Sequence, residues 1–221
     1  MMNPYDWQDA MQNRVSYILN RIEKGAPVLA VSLEAGILIF TYRRQSQKIF
    51  EIYDRLGFAG LGQQSDIESI RVMAMEFAHK EGFTRSEQDV TVQRVVTAVS
   101  APIKKAFADF SYSPILAISL FAELSSTPEQ DSFFVVDFDG DYHLHKYSVA
   151  LSGQSSSKSD LHETIPPKTS IDKAVQLLQN EWLKLASSDG EQDVSLEDLT
   201  PEILLMERNS TREDIFRNIT S

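Results

Sequence analysis

The stretch from Ser46 to Gly82 constrains the fold more than any other part of this sequence. It contains two short apolar runs, 47–52 and 56–62, which are typical of strands. Glycines in the second run let another backbone approach closely. A long helical pattern follows at once, with apolar residues at spacings of three and four. These residues are Ile67, Ile70, Met73, Ala74, Phe77 and Ala78. The stretch therefore predicts two strands followed by a long amphipathic helix.

The predicted helix has a signal at each end. Ser65 and Glu68 have the spacing of a capping box, in which each side chain accepts a free backbone amide of the first turn. Gly82 stands where many helices end in a left-handed conformation. We therefore expect Ser65 to cap the helix and Gly82 to end it.

Charge and composition narrow the classes of function. The net charge of −11 argues against binding to nucleic acid or an anionic membrane, because phosphate binding depends on clustered lysine and arginine. The 221 residues include no cysteine, so the sequence offers no disulfide, thiol nucleophile or zinc knuckle. The first residues lack the basic start and apolar core of a signal peptide. We expect a cytoplasmic protein.

The segment from Asp6 to Lys24 predicts an amphipathic helix that ends at Gly25. Its apolar side consists of Trp7, Ala10, Met11, Val15, Ile18, Leu19 and Ile22. A face of this width needs a partner, which is either the rest of the same chain or another subunit.

The remaining elements alternate between strands and helices. A buried hairpin is expected at 28–33 and 36–41, and Ser86 with Asp89 predicts the start of a helix that Pro102 kinks or breaks. Further strands are expected at 114–124, 133–138 and 142–150, a loop or short helix at 154–161, a helix at 171–185 after Ser170, and a closing hairpin at 202–207 and 215–219. This order predicts an α+β fold with helices on both sides of two stacked antiparallel sheets.

Three local patterns resemble parts of known binding sites. Asp137–Asp141 resembles part of a calcium loop, but its glycine falls too early and no glutamate closes it, so Asp139-Gly140 predicts a type I′ hairpin turn. His143 and His145 share one face of a strand without an evident third ligand. The glycines at 57, 60 and 62 lack the lysine and hydroxyl of a phosphate loop. We expect no metal site and no cofactor.

The run Lys48–Gly62, K-I-F-E-I-Y-D-R-L-G-F-A-G-L-G, closely resembles α-type subunits of the bacterial proteasome core particle, of the actinobacterial kind. The resemblance covers essentially the whole chain. It continues at Ala10-Met11, Glu76-Phe77-Ala78, Gly82-Phe83, Asp89-Val90-Thr91 and Phe216–Thr220. It implies the N-terminal-nucleophile hydrolase fold, a four-layer sandwich with helices on both sides of two stacked antiparallel sheets.

The same resemblance provides a test for catalysis. Catalytic β-type subunits of the family cut a Gly-Thr bond and use the freed threonine as nucleophile and base. None of the nine glycines here precedes Thr, Ser or Cys. Ala26 stands where the nucleophile is expected and Tyr42 where active subunits have an acid, and only Lys48 remains of the three. The resemblance therefore implies a non-catalytic subunit, with a stand-alone hydrolase or a repurposed scaffold as the alternatives.

The resemblance also implies partners and sites. The partners are six further copies in a homo-heptameric ring, β-type subunits, a ring-shaped AAA ATPase activator and unfolded substrates in transit. Residues 1–24 are expected to provide a gate and a ring contact, and 25–221 a single sandwich domain. The activator-docking residues are Lys48, Gly62 and Gln63, the gate residues are Met1, Met2, Asn3, Pro4, Tyr5 and Asp6, and the ring-contact residues are Trp7, Ala10, Met11, Val15 and Ile18.

Overall fold

The computed structural model describes residues 4–153, 161–187, 196–212 and 214–219. The helices are α1 Pro4–Ile22, α2 Gln64–Thr84, α3 Val92–Ala108, α4 Leu161–Thr164 and α5 Ile171–Ala186. The strands are β1 Val28–Leu33, β2 Gly36–Arg43, β3 Ile49–Tyr53, β4 Leu56–Gly62, β5 Ala117–Glu123, β6 Ser132–Val136, β7 Tyr142–His145, β8 Ser148–Leu151, β9 Thr200–Glu207 and β10 Phe216–Asn218.

The strands form two antiparallel sheets. The first sheet has the order β10-β9-β2-β1-β8 and the second has the order β3-β4-β5-β6-β7. Helices α2 and α3 pack on the second sheet, and α4 and α5 pack on the first. The predicted α+β sandwich, with helices outside two stacked sheets, is therefore confirmed.

The central core lies between the two sheets. Strands of both sheets contribute to it, for example Ile39 from β2 and Leu120 from β5, and both side chains are fully buried. Helix α1 adds Ile18 and Ile22, which are also fully buried. Burying a side chain of this size contributes roughly 1.5–3 kcal/mol, so α1 is anchored to its own chain through its C-terminal half.

Both predicted ends of α2 were wrong. The Glu68 carboxylate accepts the Nε proton of Arg71 at 2.8 Å, and the Ser65 hydroxyl donates to Asp66, so the capping box does not form. The helix also continues past Gly82 to Thr84. A Cβ at Gly82 would lie 2.1 Å from the Tyr53 hydroxyl, so this glycine permits close packing and does not end the helix.

The start of α3 also differs from its prediction. Ser86 and Asp89 belong to a short 3₁₀ turn, and their side chains bond to each other at 2.9 Å. The α-helix begins at Val92, whose amide donates to Oε2 of Glu123 at 3.1 Å. A carboxylate from β5 therefore caps this helix, and the helix continues through Pro102 without the break that we considered.

The predicted strand 142–150 is divided between the two sheets. Strand β7 pairs with β6 in the second sheet, whereas β8 pairs with β1 in the first. Tyr147 lies between them with a φ of 66°, a left-handed conformation. The preceding turn is not type I′ either, because Gly140 has a positive φ of 84° but Asp139 does not. The expected loop at 154–159 lies outside the described residues.

Candidate functional site

Ala26 lies in the short connection between α1 and β1. Its nitrogen is part of the peptide bond with Gly25, whose own amide donates to the carbonyl of Ile22 at 2.7 Å. A nucleophile of the kind used by N-terminal hydrolases requires a hydroxyl or thiol and a free amine at one residue. Ala26 has neither, because its side chain is a methyl group and its nitrogen is acylated by a folded segment.

Two buried side chains donate hydrogen bonds to the carbonyl of Pro27, the residue after Ala26. The carbonyl of Pro27 accepts the Thr41 hydroxyl at 2.6 Å and the Trp182 indole N–H at 2.7 Å. The Tyr42 ring packs edge-on against Trp182 with centroids 4.7 Å apart, and burial raises the pKa of Tyr42. Thr41 and Tyr42 thus make packing and hydrogen-bond contacts in the core, and neither side chain is a carboxylic acid that could assist a nucleophile at position 26.

Lys48 immediately precedes β3, and its side chain extends to the connection between α1 and β1. Its Nζ is 3.4 Å from the carbonyl oxygen of Ala26. The backbone amides of Lys48 and Ile49 both donate to the carboxylate of Glu202, at 3.1 and 2.9 Å. Burial lowers the pKa of Lys48, an effect that the charge of Glu202 opposes, and burial raises the pKa of Glu202. Nothing local in the sequence marks Glu202 as the partner of Lys48.

The other two predicted docking residues follow at the end of β4. The Gly60 amide donates to the Lys48 carbonyl at 3.1 Å, so the structure brings Lys48 close to this strand end. Gly62 has a φ of 129°, and a Cβ there would lie 2.2 Å from the carbonyl oxygen of Leu116. The Gln63 amide donates to that same carbonyl at 2.7 Å and is therefore already used. The next amides, of Gln64 and Ser65, belong to the first turn of α2.

The predicted ring-contact residues divide into two groups. Trp7 is 45% exposed, and Ala10, Met11 and Val15 are partly buried. Ile18 is fully buried between the sheets, so its assignment to a contact with another subunit was wrong. The apolar side of α1 therefore faces its own chain at its C-terminal end and is more open at its N-terminal end.

The predicted gate residues overlap with α1. The helix begins at Pro4 and not at Asp6, which places Pro4, Tyr5 and Asp6 in its first turn. Proline suits this position because a first-turn amide has no partner within the helix. Met1, Met2 and Asn3 lie outside the described residues.

Sequence reasoning missed a contact that joins α1 to the end of α3 and the segment after it. Arg14 donates to the carbonyls of Ala106 at 2.8 Å and Tyr112 at 2.9 Å. Its guanidinium carbon lies 4.8 Å from the centre of the Phe110 ring, which also contacts the ring of Trp7. These partners are more than 90 residues from Arg14 in the chain, so no local pattern could have indicated them.

The remaining predicted patterns do not build a site in the part of the chain that the structure describes. His143 and His145 lie on β7 at the edge of the second sheet, and no group of three potential ligands forms in the described residues. Within the same ranges, no helix combines the length and apolar character that crossing a membrane requires.

Comparisons with known proteins agree with the sandwich fold. A family model described as "Proteasome subunit" matches residues 22–194. A protein of Xylanimonas cellulosilytica named "Proteasome subunit alpha" is 31% identical over 67% of this chain and 61% of its own length. Proteins of the same name from Geodermatophilus obscurus and Streptomyces griseus are 28% and 26% identical over 77% and 96% of this chain, and over 60% and 78% of their own lengths. The chain thus spans about three fifths of the first two relatives.

Proposed function

The chain belongs to the proteasome subunit family, and we propose that it is a non-catalytic α-type subunit of a bacterial proteasome core particle. The observation that carries this proposal is Ala26, an acylated alanine held between α1 and β1 where an active subunit would need a free nucleophile. The similarity to actinobacterial α subunits supports the same choice. The particle would act in the cytoplasm.

We further propose that seven copies form a ring that covers a ring of β-type peptidase subunits. The resemblance to α-type subunits implies that the helix before the first strand lies at the ring contact and that the segment before it crowds the ring axis. Trp7 supports this arrangement because its large apolar side chain is nearly half exposed on α1. Residues 1–6 would then gate the entry of unfolded substrates, and residues 25–221 would form the body of the subunit.

The proposal includes a docking pocket for an ATPase activator, which we call the tail pocket and define as Lys48, Gly62, Gln63 and the first turn of α2. An ammonium group has three donors, and the contact of Lys48 Nζ with Ala26 is long, at 3.4 Å, so donors remain for a terminal carboxylate. The backbone amides of Gln64 and Ser65 and the positive end of the α2 dipole would add to the attraction for this carboxylate. Glu202 would compete with the carboxylate for Lys48.

Co-expression with a neighbouring β-type gene tests the whole proposal. Native mass spectrometry is expected to give rings of this chain stacked on β-type rings, and peptide hydrolysis is expected only from the combined particle. The isolated chain would contradict the assignment if it hydrolysed a fluorogenic peptide and lost that activity through a point change. Hydrolysis by the isolated chain would favour the stand-alone hydrolase. Such an enzyme would need a nucleophile at another position than Ala26.

A further inference from the structure

The connection between β2 and β3 is basic in a chain that is acidic overall. We call residues 43–48 the basic loop. Its sequence, R-R-Q-S-Q-K, contains three cations and no carboxylate, whereas the whole chain has a net charge of −11. The last of these cations is Lys48, so the loop leads directly into the tail pocket. Because an acidic protein repels a carboxylate at long range, a site for a carboxylate depends on such local cations.

Hydrogen bonds in its second half hold the basic loop beside the tail pocket. Nε2 of Gln64, in the first turn of α2, donates to the carbonyl of Gln47 at 3.1 Å. Nε2 of Gln47 donates to the carbonyl of Ile49 at 2.7 Å, and the amide of Lys48 donates to the carboxylate of Glu202 at 3.1 Å. The loop is therefore fixed against the helix turn that forms part of the pocket.

The two arginines of the basic loop differ in their contacts. Nη1 of Arg43 donates to the carbonyl of Gln45 at 2.8 Å, and its Nε lies 3.7 Å from Oε2 of Glu202. Arg44 is exposed, and its guanidinium forms no hydrogen bond or ion pair with the part of the chain that the structure describes. A guanidinium presents five N–H donors in a planar fork that fits a carboxylate. Arg43 therefore shapes the loop, and Arg44 has donors for a group on another molecule.

The charges around the tail pocket leave one cation in excess. The basic loop, the first two turns of α2 and Glu202 carry four cations against three carboxylates, namely Arg43, Arg44, Lys48 and Arg71 against Asp66, Glu68 and Glu202. Each of these carboxylates accepts a hydrogen bond within the chain, from the amide of Ile49, the amide of Leu116 or Nε of Arg71. An acidic side chain from another molecule would therefore complete the charge balance at Arg44.

We infer that the tail pocket selects an activator tail with an acidic side chain shortly before its terminal carboxylate, and that Arg44 binds this side chain. The inference rests on the proposed docking function and adds the class of tail that the pocket accepts. Lys48 takes the terminal carboxylate, and Arg44 takes the acidic side chain. The backbone from Arg44 to Lys48 spans at most about 14 Å, which an extended tail covers in about four residues. The acidic residue therefore lies within about four residues of the tail's end.

The contribution of Arg44 is expected to be modest and dependent on salt, because both partners are exposed to solvent. Exposed charge pairs change an affinity about two- to fivefold. Such pairs act largely through the association rate, and dissolved ions screen them. Salt dependence therefore distinguishes the contact at Arg44 from that at Lys48, which is more enclosed.

The experiment measures the binding of labelled synthetic peptides to the assembled ring by fluorescence anisotropy. Two short peptides with a free C-terminal carboxylate differ only in having glutamate or glutamine at the third residue from the end, and their amidated forms are the blanks. The ring is tested as the parent and as Arg44→Gln, Arg44→Lys and Arg85→Gln. Arg85 is the matched control, because it follows the far end of α2 and its side chain is 57% exposed.

We expect the parent ring to bind the glutamate peptide about two- to fivefold more tightly than the glutamine peptide. This preference is expected to disappear in Arg44→Gln and to remain in Arg44→Lys and Arg85→Gln. Raising the salt concentration from about 50 to about 500 mM is expected to reduce it. Charge reversal provides a further test, because Arg44→Glu is expected to prefer a peptide with lysine at the same position over the glutamine peptide.

Three results would overturn the inference while leaving docking intact. The first is equal affinity of the parent ring for the glutamate and glutamine peptides. The second is a preference that persists in Arg44→Gln. The third is an equal loss of preference in Arg85→Gln, which would reflect the net charge of the ring and not a contact with Arg44. Equal binding of the free and amidated peptides to the parent ring would instead remove the proposed docking function, and the inference with it.

Discussion

The guanidinium of Arg208 holds both carboxylate oxygens of Asp131, from Nη1 to Oδ1 at 2.9 Å and from Nη2 to Oδ2 at 2.7 Å. Both side chains are buried, with 5% and 0% of their surface exposed. The Ser32 hydroxyl also donates to Asp131, and Arg208 donates to the carbonyl of Leu33 at 2.9 Å. This pair therefore joins the β1–β2 turn, the start of β6 and the turn after β9.

Arg208→Ala is expected to lower the free energy of unfolding by about 3–5 kcal/mol, because it leaves a buried carboxylate without its partner. Urea denaturation of the isolated chain measures this loss. Arg212→Ala is the matched control, since its 2.7 Å pair with Glu207 is half exposed and is expected to contribute less than about 1 kcal/mol. Equal losses in the two variants would contradict the structural role of the buried pair.

Trp7→Asp is expected to prevent ring formation without unfolding the subunit. The side chain is 45% exposed, and a charge at this position is incompatible with an apolar contact to another copy. Sedimentation measures assembly and circular dichroism measures folding, with Val72→Asp on the exposed side of α2 as the control. Deleting 1–24 is a poorer test, because it also removes Ile18 and Ile22 from the core. Intact rings of Trp7→Asp would place the contact elsewhere.

Removing residues 1–6 from the complete particle is expected to increase the hydrolysis of a fluorogenic peptide. The reason is that the proposed gate would narrow the axial opening of the ring, so its removal would widen the path for the peptide. Removing only residues 1–3 separates the contribution of the first turn of α1, which starts at Pro4. An unchanged rate in both truncations would exclude this segment as the gate.

Lys48→Ala is expected to weaken binding of a carboxylate-terminated peptide about tenfold to a hundredfold. A charge-assisted hydrogen bond contributes roughly 1.5–3 kcal/mol, and each 1.4 kcal/mol is about a factor of ten. Ring assembly and the hydrolysis of small peptides are expected to continue, whereas degradation driven by the ATPase is expected to fail. Lys104→Ala, which removes an exposed ammonium paired with Asp141, is the control. Affinity equal to that of the parent would refute the docking role of Lys48.

Glu202→Gln is expected to become more stable than the parent as the pH rises above the ordinary pKa of a carboxyl group. Burial raises the pKa of Glu202 above its usual 4.5, so the folded state binds this proton more tightly than the unfolded state does. The stability contribution of the protonated group is therefore complete below pH 4.5 and is lost as the pH rises through the folded pKa.

Melting temperatures of the parent and the variants, taken from below pH 4.5 to above it, measure this effect. Glu68→Gln is a control of opposite sign, because the hydrogen bond from Arg71 lowers the pKa of Glu68. The parent is therefore expected to gain stability relative to Glu68→Gln as the pH rises toward 4.5, and to lose stability relative to Glu202→Gln as the pH rises above 4.5. The difference in melting temperature between parent and variant should therefore change in opposite directions with pH for the two variants. Changes in the same direction would contradict the assignment for Glu202.

The sequence by itself determined the layers and the fact that none of its nine glycines precedes Thr, Ser or Cys. Apolar periodicity is a property of neighbouring residues, so it placed α1, α2 and α3 and the strands around Gly36 and Gly57 close to where they lie. The residues after each glycine, and Ala26 in particular, are read directly from the chain. These features needed no knowledge of distant contacts.

Only the tertiary structure decided which polar groups meet. Glu123 caps α3 from 31 residues away and Arg14 reaches Ala106 across 92, so sequence spacing has no bearing on either bond. The local capping signal at Ser65 failed for a local reason, because Glu68 instead pairs with Arg71, three residues further along the same helix. Ile18 likewise packs in the core between the sheets and not on the surface where a ring contact was expected. The physical reason is that a polar group or an apolar face takes the partner that folding brings to it, wherever that partner lies in the chain.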